Sequence, residues 1–294
     1  MTWRQLSLTC RAAQLDEVED LMMELGALSI SLRDAHDEPI YEPLPGESPV
    51  WRESVVSATF ARDSDPQEIA QRLLARLPPE LASTVTEDSF QDRDWQQAYR
   101  QHFKPLQCAP KLWIVPTWSE PPDPDATIVR LDPGLAFGTG SHPTTALCLA
   151  WLAEQDLQNL RLIDYGCGSG ILAIAAIKLG ADRVLAVDID EQALTACKSN
   201  MEVNVVTDAQ IEVCLPAAAG ETAVDLLMAN ILAGPLVDLA GQFAKLVNPG
   251  GKIVLSGILV SQLNDIQSVY RDFFALEPAR QSGDWACIGG RRLS

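Results

Sequence analysis

The segment Leu162-Ile163-Asp164-Tyr165-Gly166-Cys167-Gly168-Ser169-Gly170-Ile171-Leu172 constrains this chain more than any other. A short apolar run leads into three glycines at spacing two and then into a stretch rich in Ala and Ile. That order predicts a strand, a sharp turn and a helix. Glycine permits the turn and lets a ligand come close to the main chain. In a parallel sheet such a loop lies beyond the carboxyl end of its strand, where these sheets bind ligands. A nicotinamide dinucleotide site would carry Gly-x-Gly-x-x-Gly, whereas the spacing here is Gly-x-Gly-x-Gly. Asp164 would sit badly beside a pyrophosphate, but it suits a ligand with an amino group or a sulfonium cation. Asp164, Gly166, Gly168 and Gly170 are therefore candidate ligand contacts. The plainer reading is a structural glycine turn.

Three further segments point to the same crevice. Val184-Leu185-Ala186-Val187-Asp188 is an apolar strand that ends in an acid 18 residues after Gly170. A carboxylate there can accept from both ribose hydroxyls of a nucleoside. Asp190 is placed to cap the helix that starts at Glu191. Asp225-Leu226-Leu227-Met228-Ala229-Asn230 is a second such strand, and it delivers Asn230 to its carboxyl end. An amide there can orient an incoming amine, helped by the backbone carbonyls that follow. Otherwise Asn230 is a turn residue before the next helix. Residues 131–145 form two glycine-bounded turns that run into Pro143, Thr144 and Thr145. Such a loop can fold over a ligand, with Phe137 closing it and Thr139, Gly140, His142 and Thr145 along its path. Free amides at a helix start can hold a carboxylate. The bland alternative is a turn followed by a helix cap.

From about residue 144 onward, helix and strand patterns alternate, which predicts a doubly wound α/β sheet. The first ~90 residues read instead as βαββαβ, the ferredoxin-like arrangement of a small α+β domain. Residues 34–53 read as a long acidic loop rich in Pro and Gly. Trp95, Tyr99 and Phe103 fall at helical spacing, so a linking helix is expected over 91–104, ended by Pro105. Residues 111–118 and 126–132 look like two strands joined by a Pro-rich turn. The expected domains are 1–90, a linker helix 91–105, and 106–294.

Charge limits the partners. The chain of 294 residues carries a formal net charge of −18. Most of its surface would repel RNA or any other polyanion. Residues 1–100 hold nine Arg, no Lys and nineteen acids, a net of −10. That excess serves solubility, or it attracts a basic protein. No apolar run reaches the ~18 residues of a membrane span, and the beginning shows neither a signal-peptide core nor a transit segment. A cytoplasmic address and a monomer are expected. The seven cysteines are scattered, none in a Cys-x-x-Cys pair, and read as reduced thiols. The three histidines lie far apart, so no metal site is expected.

With these four segments in this order, the chain resembles the PrmA family, the methyltransferases of the large-subunit ribosomal protein numbered eleven. The resemblance spans essentially the whole chain. Residues 131–145 are its most specific part, since Asp164 to Gly170 alone would point only to the wider class I methyltransferases. It implies a seven-stranded sheet with one antiparallel edge strand, and an N-terminal domain that recognises the ribosomal protein. It also implies S-adenosylmethionine as cofactor, held at Thr145, Gly166, Asp188 and Asn230. The acceptors would be lysine side chains and the N-terminal amine of a lysine-rich protein. The loop with Phe137 and His142 would belong to the active site, with His142 a candidate proton acceptor. Cys167 reads as a small filler rather than a nucleophile. Competing expectations are a lysine methyltransferase for another basic protein, an RNA methyltransferase, a nicotinamide-dependent oxidoreductase, and a non-catalytic cofactor-binding module.

Overall fold

The computed structural model describes residues 2–36, 50–61, 64–91, 103–132, 140, 142–220 and 222–294. The chain divides into two compact units, Met1–Tyr99 and Arg100–Ser294. Most of the linking helix expected over 91–104, and most of the loop expected over 34–53, lie outside the described residues.

The first unit runs β1 (Thr2–Arg11), α1 (Leu15–Glu24), β2 (Ala27–Asp34), β3 (Glu53–Phe60), α2 (Pro66–Arg76), a single turn α3 (Pro79–Ala82) and β4 (Thr86–Gln91). Its sheet has the order β2-β3-β1-β4 with every pairing antiparallel. This is the expected βαββαβ topology. Helix α1 forms because Leu15, Val18, Leu21 and Met22 share one stripe and bury it. Gly26 ends it with a φ of +93°, a region that only glycine enters without strain. Helix α2 starts where Asp65 accepts from the amides of Gln67 (2.9 Å) and Glu68 (3.4 Å), a cap worth about 1 kcal/mol. The core sets Leu6, Leu8, Val56, Ala58 and Phe60 of the sheet against Val18, Met22 and Leu73 of the helices.

The second unit begins with β5 (Leu106–Ala109), β6 (Leu112–Val115) and β7 (Thr127–Arg130). Sequence reasoning found the last two but not β5. It also expected a turn between them, whereas β6 and β7 are parallel, so residues 116–126 cross back instead. There follow α4 (Pro143–Ala153), β8 (Arg161–Tyr165), α5 (Ile171–Lys178), β9 (Arg183–Val187), α6 (Glu191–Val203) and β10 (Ile211–Cys214). Then come β11 (Val224–Asn230), α7 (Ala233–Leu246), β12 (Val247–Leu259), α8 (Leu263–Tyr270), β13 (Phe274–Leu276), β14 (Arg280–Ser282) and β15 (Trp285–Arg292).

The main sheet has the order β10-β9-β8-β11-β12-β15-β13, with β14 paired on β15. The five strands from β10 to β12 are parallel, and β15 is antiparallel to both of its path neighbours. The antiparallel strand is thus one place in from the rim, not at the edge. The crossover through α8 lays β13 parallel to β12, and β15 fills the gap between them. Side chains alternate across the sheet as strand geometry requires. Leu162, Leu226, Met228 and Val254 pack on one face with α4, α5 and α6. Ile163, Leu227, Ala229 and Leu255 pack on the other with α7 and α8. Strand order reverses between β8 and β11, which opens a crevice at their carboxyl ends.

Candidate functional site

A cleft of about 510 Å³ occupies that crevice. Its size falls within the usual range for small-molecule sites, roughly 300–1,000 Å³. Four carboxyl-end loops wall it. The loop after β8 gives Tyr165, Gly166, Cys167 and Gly168; the loop after β9 gives Asp188 and Ile189. Pro216 follows β10, and Asn230, Ile231 and Leu232 close β11. Thr145 reaches in from α4.

The glycine loop is anchored to β9 from two sides. The amides of Gly166 and Cys167 donate to the Val187 carbonyl at 2.7 and 3.0 Å. The Gly168 amide donates to Asp188 Oδ2 at 2.8 Å, and the Asp190 amide donates to Asp188 Oδ1 at 3.0 Å. A carboxylate has about four acceptor positions, so Asp188 keeps capacity for two hydroxyls. Asp190 caps α6 as expected, accepting from the Gln192 amide at 2.8 Å. Asn230 Nδ2 donates to Thr145 Oγ1 at 3.3 Å, which leaves the Asn230 carbonyl oxygen facing a different direction from that bond. Two large apolar side chains stand exposed beside these polar groups: Ile189, 83% exposed, and Leu232, 48% exposed. Exposed aliphatic surface at the cleft fits an apolar ring system.

The structure separates residues that the sequence placed together. Gly166, Gly168, Asp188, Asn230 and Thr145 all line the cleft. Asp164 does not: it is 1% exposed and lies on the α5 side of the sheet. Its Oδ2 accepts from the Ala173 amide at 3.0 Å, and its Oδ1 is buried without a hydrogen-bond partner. Burial pushes its carboxyl up to about 7, against the Ala173 bond that lowers it, and the nearby Asp188 charge adds to the rise. Gly170 is the cap of α5, with a φ of +76°, and an added Cβ would overlap Cys197 Sγ. A Cβ added at Gly140 would press on Ile171 and Ile114, at 3.1 and 3.2 Å. His142 caps α4: its Nδ1 lies 2.7 Å from Thr144 Oγ1 and 3.4 Å from the Thr144 amide. Its ring meets Trp285 edge-on at 4.8 Å, and burial lowers its pKa, favouring neutral imidazole. Phe137 and Thr139 lie outside the described residues. A hydrogen bond with Cys197, together with burial, holds Cys167 in the thiol form.

Sequence reasoning passed over Tyr165, Ile189, Leu232 and Pro216 as wall residues. A signal existed for one of them: an isoleucine directly after a strand-ending acid is an apolar side chain where the strand has already left the core. Among the described residues, no group of three or more His, Cys, Asp or Glu could hold a metal ion. No described helix is long and apolar enough to cross a membrane.

A parallel sheet of this order, with one antiparallel insertion and a glycine loop at the switch point, defines a class I methyltransferase fold. In a crystal structure, the ribosomal protein L11 methylase of Lactobacillus delbrueckii subsp. bulgaricus superposes with a TM-score of 0.60 and 36% identity, covering 65% of this chain and 100% of that one. The family model described as ribosomal protein L11 methyltransferase (PrmA) matches residues 2–293. Proteins named ribosomal protein L11 methyltransferase from Marinobacter nauticus and Vibrio parahaemolyticus are 44% and 45% identical, over 99% of each chain compared. The chain belongs to the PrmA family of ribosomal protein L11 methyltransferases.

Proposed function

We propose that this protein transfers methyl groups from S-adenosylmethionine to lysine side chains and the N-terminal amine of ribosomal protein L11. The observation that carries the proposal is the cleft itself, in a chain matched to the family over nearly its whole length. It gathers the glycine backbone, the Asp188 carboxylate and the Asn230–Thr145 pair on neighbouring strand ends.

The residues fit the cofactor. Gly166 and Gly168 bring bare backbone to the cleft wall, where a ligand can approach the main chain closely. The remaining acceptor capacity of Asp188 suits two ribose hydroxyls, and Ile189 and Leu232 suit the faces of an adenine ring. The buried, unpartnered Oδ1 of Asp164 behind the loop favours a cation nearby. Burial holds that carboxyl at about 7, so a bound cation would draw it into the charged form without direct contact. S-adenosylmethionine, when bound, supplies an activated methyl group on a positively charged sulfur.

Asn230 orients the acceptor amine, and Thr145 fixes the amide of Asn230 through the 3.3 Å bond. Positioning of this kind accounts for most of the acceleration in a two-partner displacement. A free lysine has a reference pKa of about 10.4, so its nitrogen must lose a proton before attack. Desolvation against Leu232 and Ile231, and approach to a cation, both favour the neutral amine. No dedicated base is required. His142 is neutral at pH 7 and remains the proton acceptor to test, although Thr144 engages its Nδ1.

The acidic first unit is the recognition module for the basic ribosomal protein, and its net −10 over residues 1–100 supports that role. Mass spectrometry of purified ribosomal protein L11, incubated with the enzyme and S-adenosylmethionine, tests the whole reading. Added masses in steps of one methyl group on amines are expected. An unmodified protein under conditions where the cofactor binds would overturn it.

A further inference from the structure

The β11–β12 ladder ends at the pair Asn230–Ser256. The next residue on each strand is therefore no longer held by strand pairing, yet this is where the cleft needs a fixed geometry. Ile231 follows Asn230 and lines the cleft. Two glycines in the left-handed region press on it from different sides. Gly166, φ +80°, follows β8; Gly257, φ +82°, sits in β12 where the register with β15 shifts between Leu255 and Ile258. A Cβ on Gly166 would overlap Ile231 Cγ2, with Ile231 Cβ next at 3.7 Å. A Cβ on Gly257 would overlap the Ile231 carbonyl oxygen and lie 2.7 Å from its carbon and 3.1 Å from its nitrogen. One glycine is thus fitted to the side chain of Ile231 and the other to its peptide.

We infer that Gly166 and Gly257 clamp Ile231 and thereby set the direction in which Asn230 presents its amide to the acceptor amine. Both are positioning residues: neither needs to touch the amine, and each acts through Ile231. The inference rests on the reading of Asn230 given above, but the clamp itself can be measured without it.

The two contacts differ in kind, so their rescue must differ. Replacing Ile231 with Ala removes Cγ2 and leaves its Cβ at an ordinary distance from a Cβ on Gly166. It leaves the peptide facing Gly257 untouched. Gly166→Ala, Gly257→Ala, Ile231→Ala and the two double variants should be compared for turnover on ribosomal protein L11 and for cofactor affinity by calorimetry. Gly257→Ala is expected to lower kcat about tenfold or more, with cofactor Kd within about threefold of the parent. Adding Ile231→Ala should leave that loss in place. Gly166→Ala should also lower kcat, and adding Ile231→Ala should recover the part of that loss due to overlap with Cγ2, relative to Ile231→Ala alone, while the strain of alanine at φ +80° remains.

Unchanged kcat in Gly257→Ala, or rescue that is the same for both glycines, would overturn the clamp. If Gly257→Ala does not fold, the Gly166 and Ile231 pair decides alone. The side-chain amide resonance of Asn230, assigned by its loss in Asn230→Ala, gives a readout free of activity. It should shift in each single glycine variant, and an unmoved resonance overturns the clamp whatever the turnover. Full turnover in Asn230→Ala would instead refute the role of Asn230, while the resonance still reports on the clamp.

Discussion

The two units of the chain use opposite strategies. In the first, an antiparallel sheet packs its apolar face against helices, and Asp16, Glu17, Glu19, Asp20 and Glu24 crowd α1 and its first turns. Its described cavities are about 260 and 200 Å³ and involve charged side chains such as Arg11, Glu53, Glu80 and Arg76. In the second, a mainly parallel sheet carries helices on both faces and opens a larger, apolar-walled cleft at its carboxyl ends. Residues 101–294 hold thirteen bases and twenty-one acids, a net of −8 over nearly twice the length, so the charge density falls by more than half. Under the proposed function, a small ligand is gripped by backbone amides and fixed carboxylates, and a folded basic partner is met by a field spread over a surface.

The largest test of that division is deletion of residues 1–99. The remaining unit is expected to bind S-adenosylmethionine in calorimetry while methylation of ribosomal protein L11 falls by about a hundredfold or more. Full activity of the truncation would end the recognition role of the first unit. Next in size is Asn230→Ala, which should cut turnover by about 10–100-fold while changing cofactor affinity less, as expected for an interaction made mainly at the transition state. Steady-state kinetics beside a binding titration separate the two. Asp188→Ala should weaken the cofactor by about 1–3 kcal/mol, the scale for hydrogen bonds to a charged group. Equal affinity of variant and parent would remove the ribose role.

A smaller effect sharpens the electrostatic half of the comparison. Raising salt from 0.05 to 0.5 M, or about a tenfold increase in ionic strength, should raise KM for the ribosomal protein several-fold and move the cofactor Kd by less than about twofold. A separate test, on folding rather than binding, belongs to Asp164. Its carboxyl is raised from 3.8 to about 7 by burial, so the unfolded chain gives up this proton at lower pH than the folded one. Folding stability should therefore fall as pH rises from about 4 to about 7, and level off above. Thermal unfolding of Asp164→Asn across that window should lack this component.

Much of the arrangement was readable from residue order, and the exceptions have physical causes. Period-two runs located β1 and β2, while Gly26 and Pro66 marked helix ends with known backbone preferences. Strand ends put Asp188 and Asn230 at the cleft because an apolar run stops where a parallel strand leaves the core. Strand β5 escaped notice because Leu106–Ala109 is four residues long, with Gln107 and Cys108 giving no clear alternation. The direction of β6 and β7 depends on pairing across distance, which a local pattern does not encode. Asp164 is the instructive case. Its place beside three glycines suggested contact with ligand, but strand periodicity puts it on the same face as Leu162, beneath α5. The clamp around Ile231 was also invisible, since residues 166, 231 and 257 meet only after three strands have paired.

The placement of β15 governs how this molecule must be made. Strands β12 and β13 emerge during synthesis with a vacant slot between them, and nothing can occupy it until residues 285–292 have been translated. Until then two backbone edges remain open to pairing with another nascent chain. A stalled or clipped product lacking that strand would carry an unpaired β12 edge, which makes aggregation its hazard.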